Sequence, residues 1–198
     1  MKPLLFVWPI GAVFWAAWLW AFVPEIRIVR AARREQRALS RAARDPSLQP
    51  LLLGQQVTML LALALALTVP SLAVVRDREA WFLLGAVLVV LASLLRRHCF
   101  RLLGADFRGA VTVRSDQPLV ERGAYRWVRH PSYVAGLVFL LAFGLALGNW
   151  GSLLVLLLGG ALAYGYRIRV EERALVATLG APYVAYQGRT ARLIPGVW

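Results

Sequence analysis

Residues Tyr133–Leu147 read YVAGLVFLLAFGLAL, Gly148–Gly151 read GNWG, and Ser152–Tyr166 read SLLVLLLGGALAYGY. Two helix-length apolar runs flank a turn signal, and no charged side chain interrupts either one. So short a connection fits only an antiparallel helical hairpin. Whether hydrocarbon or a large core surrounds it is decided by composition. Hydrophobic residues make up 60% of the 198, and the mean hydropathy is +0.61. A soluble domain does not carry that proportion. The chain reads as an all-α integral membrane protein.

Three further spans precede the hairpin. Leu4–Val23 carries no charge, is closed by Pro24-Glu25, and is long enough for a ~30 Å hydrocarbon core. It has one flanking Lys2, four Trp residues and no small-residue cleavage site, which fits a retained span better than a signal peptide. Leu51–Val75 is the second span, with Pro70 as a kink near its end. Trp81–Leu95 is the third. With 133–147 and 152–166 the expected count is five transmembrane helices. Arg27–Arg44 reads as a basic, headgroup-facing helical stretch stopped by Asp45-Pro46-Ser47. Val111-Thr112-Val113 favours β structure. Beyond Tyr166 the last helix continues into water and stops at Gly180, a suitable cap residue, leaving a short C-terminal segment. No repeat or low-complexity linker divides the chain, so 1–198 is read as one membrane domain.

The formal net charge is +13. With five spans, 20 of the 23 basic residues fall on one side; Lys2, Arg76 and Arg78 fall on the other. Because positive residues stay cytoplasmic, the N-terminus is expected outside and the C-terminus inside. The excess charge then speaks for anionic headgroups and against a nucleic-acid partner. A single cysteine, Cys99, excludes an internal disulfide, and His98-Cys99 without a further ligand cluster gives no metal site.

On the basic side, Leu119–Tyr133 is a dense polar and aromatic patch holding Glu121, Arg122, Tyr125, Arg126, Arg129, His130, Ser132 and Tyr133. Pro131 restricts His130 to extended geometry, so a helix begins here rather than passes through. Unpaired amides at that terminus favour anionic groups. The hairpin brings the patch beside Arg167–Glu172, where Arg167 and Glu171 share one helix face at i and i+4. A charged helix end and a capping histidine would account for each stretch alone. Their convergence at one membrane face makes a cytoplasmic binding site the better reading.

Arg129-His130-Pro131-Ser132-Tyr133, then a hairpin, Glu171-Glu172-x-x-Leu175, Gly180-x-x-Tyr183-x-x-Tyr186 and Arg192-Leu-Ile-Pro195 resemble the isoprenylcysteine carboxyl methyltransferase family in order and spacing. The resemblance covers 106–195, about half the chain. It implies an integral membrane enzyme that uses S-adenosylmethionine without a Rossmann domain, and no dinucleotide fingerprint occurs in the sequence. Carried over by position, cofactor contacts fall on Gln117, Pro118, Leu119, Val120, Tyr125, His130, Pro131, Ser132, Tyr133 and Glu171. The catalytic, substrate-binding arginine falls on Arg167. Tyr125 and Tyr133 offer π-faces to a sulfonium cation. A carboxylate acceptor is ionised near pH 7 and needs orientation by Arg167 rather than a base.

Two positions depart from the family pattern. Ala135 stands where Gly is usual, with Gly136 next, and Leu179 replaces an aromatic before Gly180. Related membrane enzymes keep other readings open: a phospholipid N-methyltransferase, an NADPH-dependent sterol-reductase-like enzyme, or a non-catalytic membrane module. The resemblance implies a lipophilic or prenylated acceptor among membrane lipids; a bacterial inner membrane fits the charge bias, as an archaeal or endoplasmic reticulum membrane also would.

Overall fold

The computed structural model describes residues 2–38, 45–104, 113 and 117–196. Five apolar helices and one short helix follow in order: α1 Ile10–Ala38, α2 Leu48–Thr68, α3 Arg78–Leu103, α4 Pro131–Leu147, α5 Trp150–Leu179 and α6 Ala181–Arg189. No strand occurs among the described residues; Val113 lies outside any element, and Val111 and Thr112 fall outside the description. α1, α2, α3 and α5 are each long and apolar enough to cross a membrane. α4 has 17 residues, about 25 Å of helix. It is the central helix: most of it is buried, and it packs on α3 and α5. Leu60, Leu83, Leu91 and Leu162 on the surrounding helices are exposed, as side chains facing lipid would be.

The sequence boundaries need four corrections. The first apolar run does not start as α-helix at Leu4; a 3₁₀ turn at Leu4–Phe6 comes first. Nor does that run close at Pro24, because α1 continues to Ala38. Proline has no N–H for the carbonyl four residues back, which is Trp20. Arg97 Nη2 of α3 donates to that oxygen at 3.0 Å, and its guanidinium lies 4.2 Å from the Trp20 ring centroid. A neighbouring helix thus satisfies the group that proline orphans. The second run ends as helix at Thr68, before Pro70 rather than kinking through it, since a residue preceding proline is pushed out of α geometry. The third extends past its apolar centre in both directions, from Arg78 to Leu103.

Aromatic rings fasten α1 to the core. Phe14 and Trp18 stack at 5.9 Å, and Trp18 lies 4.9 Å from Phe143 of α4. The hairpin turn is held by Asn149, whose Oδ1 caps α5 by accepting from Ser152 N–H at 2.9 Å. Its Nδ2 donates to Val69 O at 3.2 Å and Leu65 O at 3.4 Å, in the final turn of α2. Val74 N–H reaches Gly148 O at the same end, where Arg78 also bonds Lys2 O. The opposite end of the bundle collects Asp45, His130 and the continuation of α5.

Candidate active site

His130 precedes the first residue of α4, so the helix starts at Pro131 as the sequence requires. The approaching loop is pinned rather than loose. Arg129 N–H donates to Ala191 O at 2.8 Å, His130 N–H to Arg192 O at 3.1 Å, and Ala191 N–H returns to Trp127 O at 3.1 Å. One parallel bridge, Val128 to Ala191, therefore ties the loop to the C-terminal segment. Tyr186 of α6 adds a hydroxyl bond to Tyr125 O at 2.6 Å. Burial pushes the Tyr186 phenol up to about 12, so it remains a donor at neutral pH.

The adjacent acids at the end of α5 do different work. Glu172 is buried and accepts from Arg129 Nε and Arg192 Nε, both at 2.9 Å, with His130 Nε2 3.4 Å away. It closes the joint between loop, α5 and tail. Glu171, about 100° further round the helix, accepts from the Tyr133 hydroxyl at 2.5 Å. Its side chain keeps 29% exposure. The Tyr133 oxygen in turn accepts from Arg167 Nε at 2.9 Å. Arg167 is 3% exposed, and its Nη1 donates to Asp45 Oδ2 and Ser47 Oγ, each at 3.1 Å. Asp45 Oδ1 accepts from the Ser47 amide and hydroxyl at 2.8 and 2.6 Å. A continuous chain of polar contacts thus runs from the turn before α2, through α5, to the start of α4.

Arg129, His130, Tyr133, Arg167 and Glu171 border a cavity of about 630 Å³. That size suits a small-molecule site, for which about 300–1,000 Å³ is usual. Gln117, Pro118, Leu119, Val120, Tyr125, His130, Ser132, Tyr133, Arg167 and Glu171 all line it; of the sequence-predicted site residues only Pro131 does not. His130 and Tyr133 stack at 5.4 Å with planes 10° apart, and Tyr164 continues the stack at 5.2 Å. Trp18, Phe22, Leu48, Leu51, Leu52 and Met59 of α1 and α2 add a largely apolar lining, into which Glu25, Gln55 and Gln56 are set. The cavity accepts a ligand, or two ligands, with one polar and one oily end.

Sequence reading missed several of its parts. Asp45 reads as a helix stop, yet it holds Arg167. Arg96 reads as a span end, yet it pairs with Glu25 and donates to Ser132 O at 2.7 Å. Gln55 bonds the Tyr164 hydroxyl at 2.9 Å. Gly136 makes that hydroxyl's position possible: a Cβ there would lie 2.2 Å from it. Ala135 is fully buried, so the departure at that position is absorbed by a small side chain while the neighbouring glycine allows the close approach. Glu172 stands in the motif that the sequence analysis quotes, but its pairing with Arg129 and Arg192 depends on packing.

A sequence profile described as the isoprenylcysteine carboxyl methyltransferase (ICMT) family matches residues 84–177. A protein-S-isoprenylcysteine O-methyltransferase of Saccharomyces cerevisiae is 33% identical over 57% of this chain and 48% of its own length. One from Schizosaccharomyces pombe is 34% identical over 53% of this chain and 45% of its own. The chain therefore spans about half the length of these relatives. A probable protein-S-isoprenylcysteine O-methyltransferase of Oryza sativa subsp. indica is 24% identical over 89% and 95%. In fold, the chain is similar to the eukaryotic intramembrane Ras methyltransferase ICMT, with a TM-score of 0.59 over 81% of this chain and 55% of that one at 23% identity.

Proposed function

We propose that this relative of the isoprenylcysteine carboxyl methyltransferase family is an integral membrane methyltransferase that uses S-adenosylmethionine and acts on a lipid-borne acceptor, most simply an isoprenylcysteine-like carboxylate. The observation that carries the reading is the two-faced cavity. Its polar wall is built from the family's ordered motif and its apolar wall from α1 and α2. The donor set suits the cofactor's mixed charges. Glu171 is a carboxylate within reach of an ammonium or a diol, and the His130–Tyr133–Tyr164 stack offers π-faces to a sulfonium. Tyr183 also lines the cavity, and its buried hydroxyl has no partner among the described residues.

When bound, S-adenosylmethionine supplies a methyl group on a positively charged sulfur, open to direct displacement by a nucleophilic oxygen. Arg167 is the proposed clamp for the acceptor carboxylate, held in a fixed pose by Asp45, Ser47 and Tyr133. Such a clamp needs no general base, since the acceptor is already ionised. Glu171 and His130 hold the cofactor side. The apolar wall excludes water and seats a prenyl or acyl tail. The active site is assigned to the cytoplasmic face, because the residues around it share the end of the bundle where basic residues gather.

Radiolabelled methyl transfer into a lipid extract and a panel of prenylcysteines tests the activity; label in a base-labile prenylcysteine ester is the expected result. Label appearing only in phospholipid headgroups would replace the carboxylate acceptor with an amine. Calorimetric binding of NADPH without S-adenosylmethionine binding would overturn the reading altogether.

A further inference from the structure

We infer that Tyr183 is a ligand-binding residue whose hydroxyl hydrogen-bonds an acceptor oxygen of the cofactor, a ribose hydroxyl or the α-carboxylate; this rests on the methyltransferase reading above. Gly180 sets up the position. It holds φ at +64°, a conformation open to glycine, where α5 ends and α6 begins. Tyr183 N–H then bonds Gly180 O at 3.1 Å, which fixes the residue in the first turn of α6. The side chain is 2% exposed and borders the cavity that Glu171, Arg129 and His130 also line.

Among the described residues, Tyr183 Oη is the buried side-chain polar atom that finds no hydrogen-bond partner. Its neighbour Tyr186, with ring centroid 6.0 Å away, is equally buried and has its hydroxyl satisfied by Tyr125 O. Buried polar groups are nearly always paired, and one left alone costs the desolvation of its hydroxyl. Phenylalanine would fill the same space without that cost. The hydroxyl makes sense if its partner arrives with the ligand. Burial and the nearby carboxylates of Glu172 and Glu171 raise the phenol well above its ordinary range, so it stays protonated and acts as a donor. The partner is then an oxygen with lone pairs, and the cofactor carries such oxygens on both its sugar and its amino-acid end.

The test uses the full chain in detergent, as wild type, Tyr183→Phe and Tyr186→Phe. Thermal unfolding without ligand is measured beside calorimetric affinity for S-adenosylhomocysteine, the product form, which keeps turnover out of the readout. Tyr183→Phe is expected to melt at or above the wild-type temperature while its affinity falls about tenfold. Tyr186→Phe is expected to melt lower, because it loses a bond present in the unliganded protein. An affinity for Tyr183→Phe within twofold of wild type overturns the inference while leaving the methyltransferase reading intact. So does an affinity loss accompanied by a drop in melting temperature like that of Tyr186→Phe, which would mark a structural hydroxyl. Failure of the wild type to bind S-adenosylhomocysteine removes the reading and the inference together.

Discussion

At the scale of single residues, Glu171 and Glu172 are one position apart in sequence and opposite in consequence. Glu172 is enclosed with Arg129 and also bonds Arg192. Its removal strands at least one buried guanidinium, so Glu172→Ala should cost about 3–5 kcal/mol of stability, read as a large fall in melting temperature in detergent. Glu171 borders the cavity and keeps partial exposure. Glu171→Gln should melt near wild type yet bind S-adenosylmethionine roughly ten- to a hundredfold more weakly, the loss of one charge-assisted bond of about 1.5–3 kcal/mol. Equal melting temperatures for the two variants would contradict this division. Arg167 makes a third case. Arg167→Lys should keep cofactor affinity near wild type but lower single-turnover methyl transfer, because an ammonium has too few donors to hold Tyr133, Asp45 and Ser47 and an acceptor oxygen at once. Parallel loss of both quantities would make it a fixture of the cofactor pocket instead. His130, Tyr133 and Glu171 were legible in the sequence because their spacing relative to a proline and a hairpin fixes which helix ends they occupy. Asp45 was not, since its partner Arg167 lies 122 residues away and nothing local marks it as more than a helix stop.

At the scale of elements, periodicity and charge identified each apolar helix and placed some ends, such as Leu147 and Gly180, but not others. α1 continues past Pro24 because Arg97 on another helix meets the orphaned carbonyl, a compensation invisible from within α1. α5 stops at Gly180 as expected because that signal is local: a glycine with positive φ ends the helix itself. The hairpin turn combines both kinds of information. Asn149 is recognisable as an N-cap, but its second role, donating to the last carbonyls of α2, depends on packing. Asn149→Ala should therefore destabilise the protein by more than an ordinary cap, about 1–3 kcal/mol. Cofactor affinity should not change, because the length of α4 separates the turn from the site. A calorimetric affinity that falls along with the melting temperature would show that the two ends of the bundle are coupled.

At the scale of the whole molecule, the residues that match the family profile, 84–177, supply most of the polar lining of the cavity, and much of the oily lining comes from α1 and α2 outside that match. Under the proposed function, Arg167 and the sequence-predicted cofactor contacts lie within the match, while much of the seat for an acceptor tail lies outside it. The same division orders the two ends of the bundle. Lys2, Arg78 and Gly148 gather at one end, where basic residues are few. Asp45, Arg129, His130, Arg167 and Arg192 gather at the other, the end that α1 and α3 approach with their arginines. A 17-residue α4 joins those ends only if it crosses most of the hydrocarbon alongside its longer neighbours, which favours five crossings over four. Five crossings place 20 of the 23 basic residues on one side, which the positive-inside rule expects to be cytoplasmic. Reporter fusions after Trp198 and within Arg76–Glu79 should accordingly report cytoplasmic and external locations, respectively. Both reporters on one side would mean that α4 does not cross, which would leave the cavity's polar wall at the wrong face for a cytoplasmic cofactor.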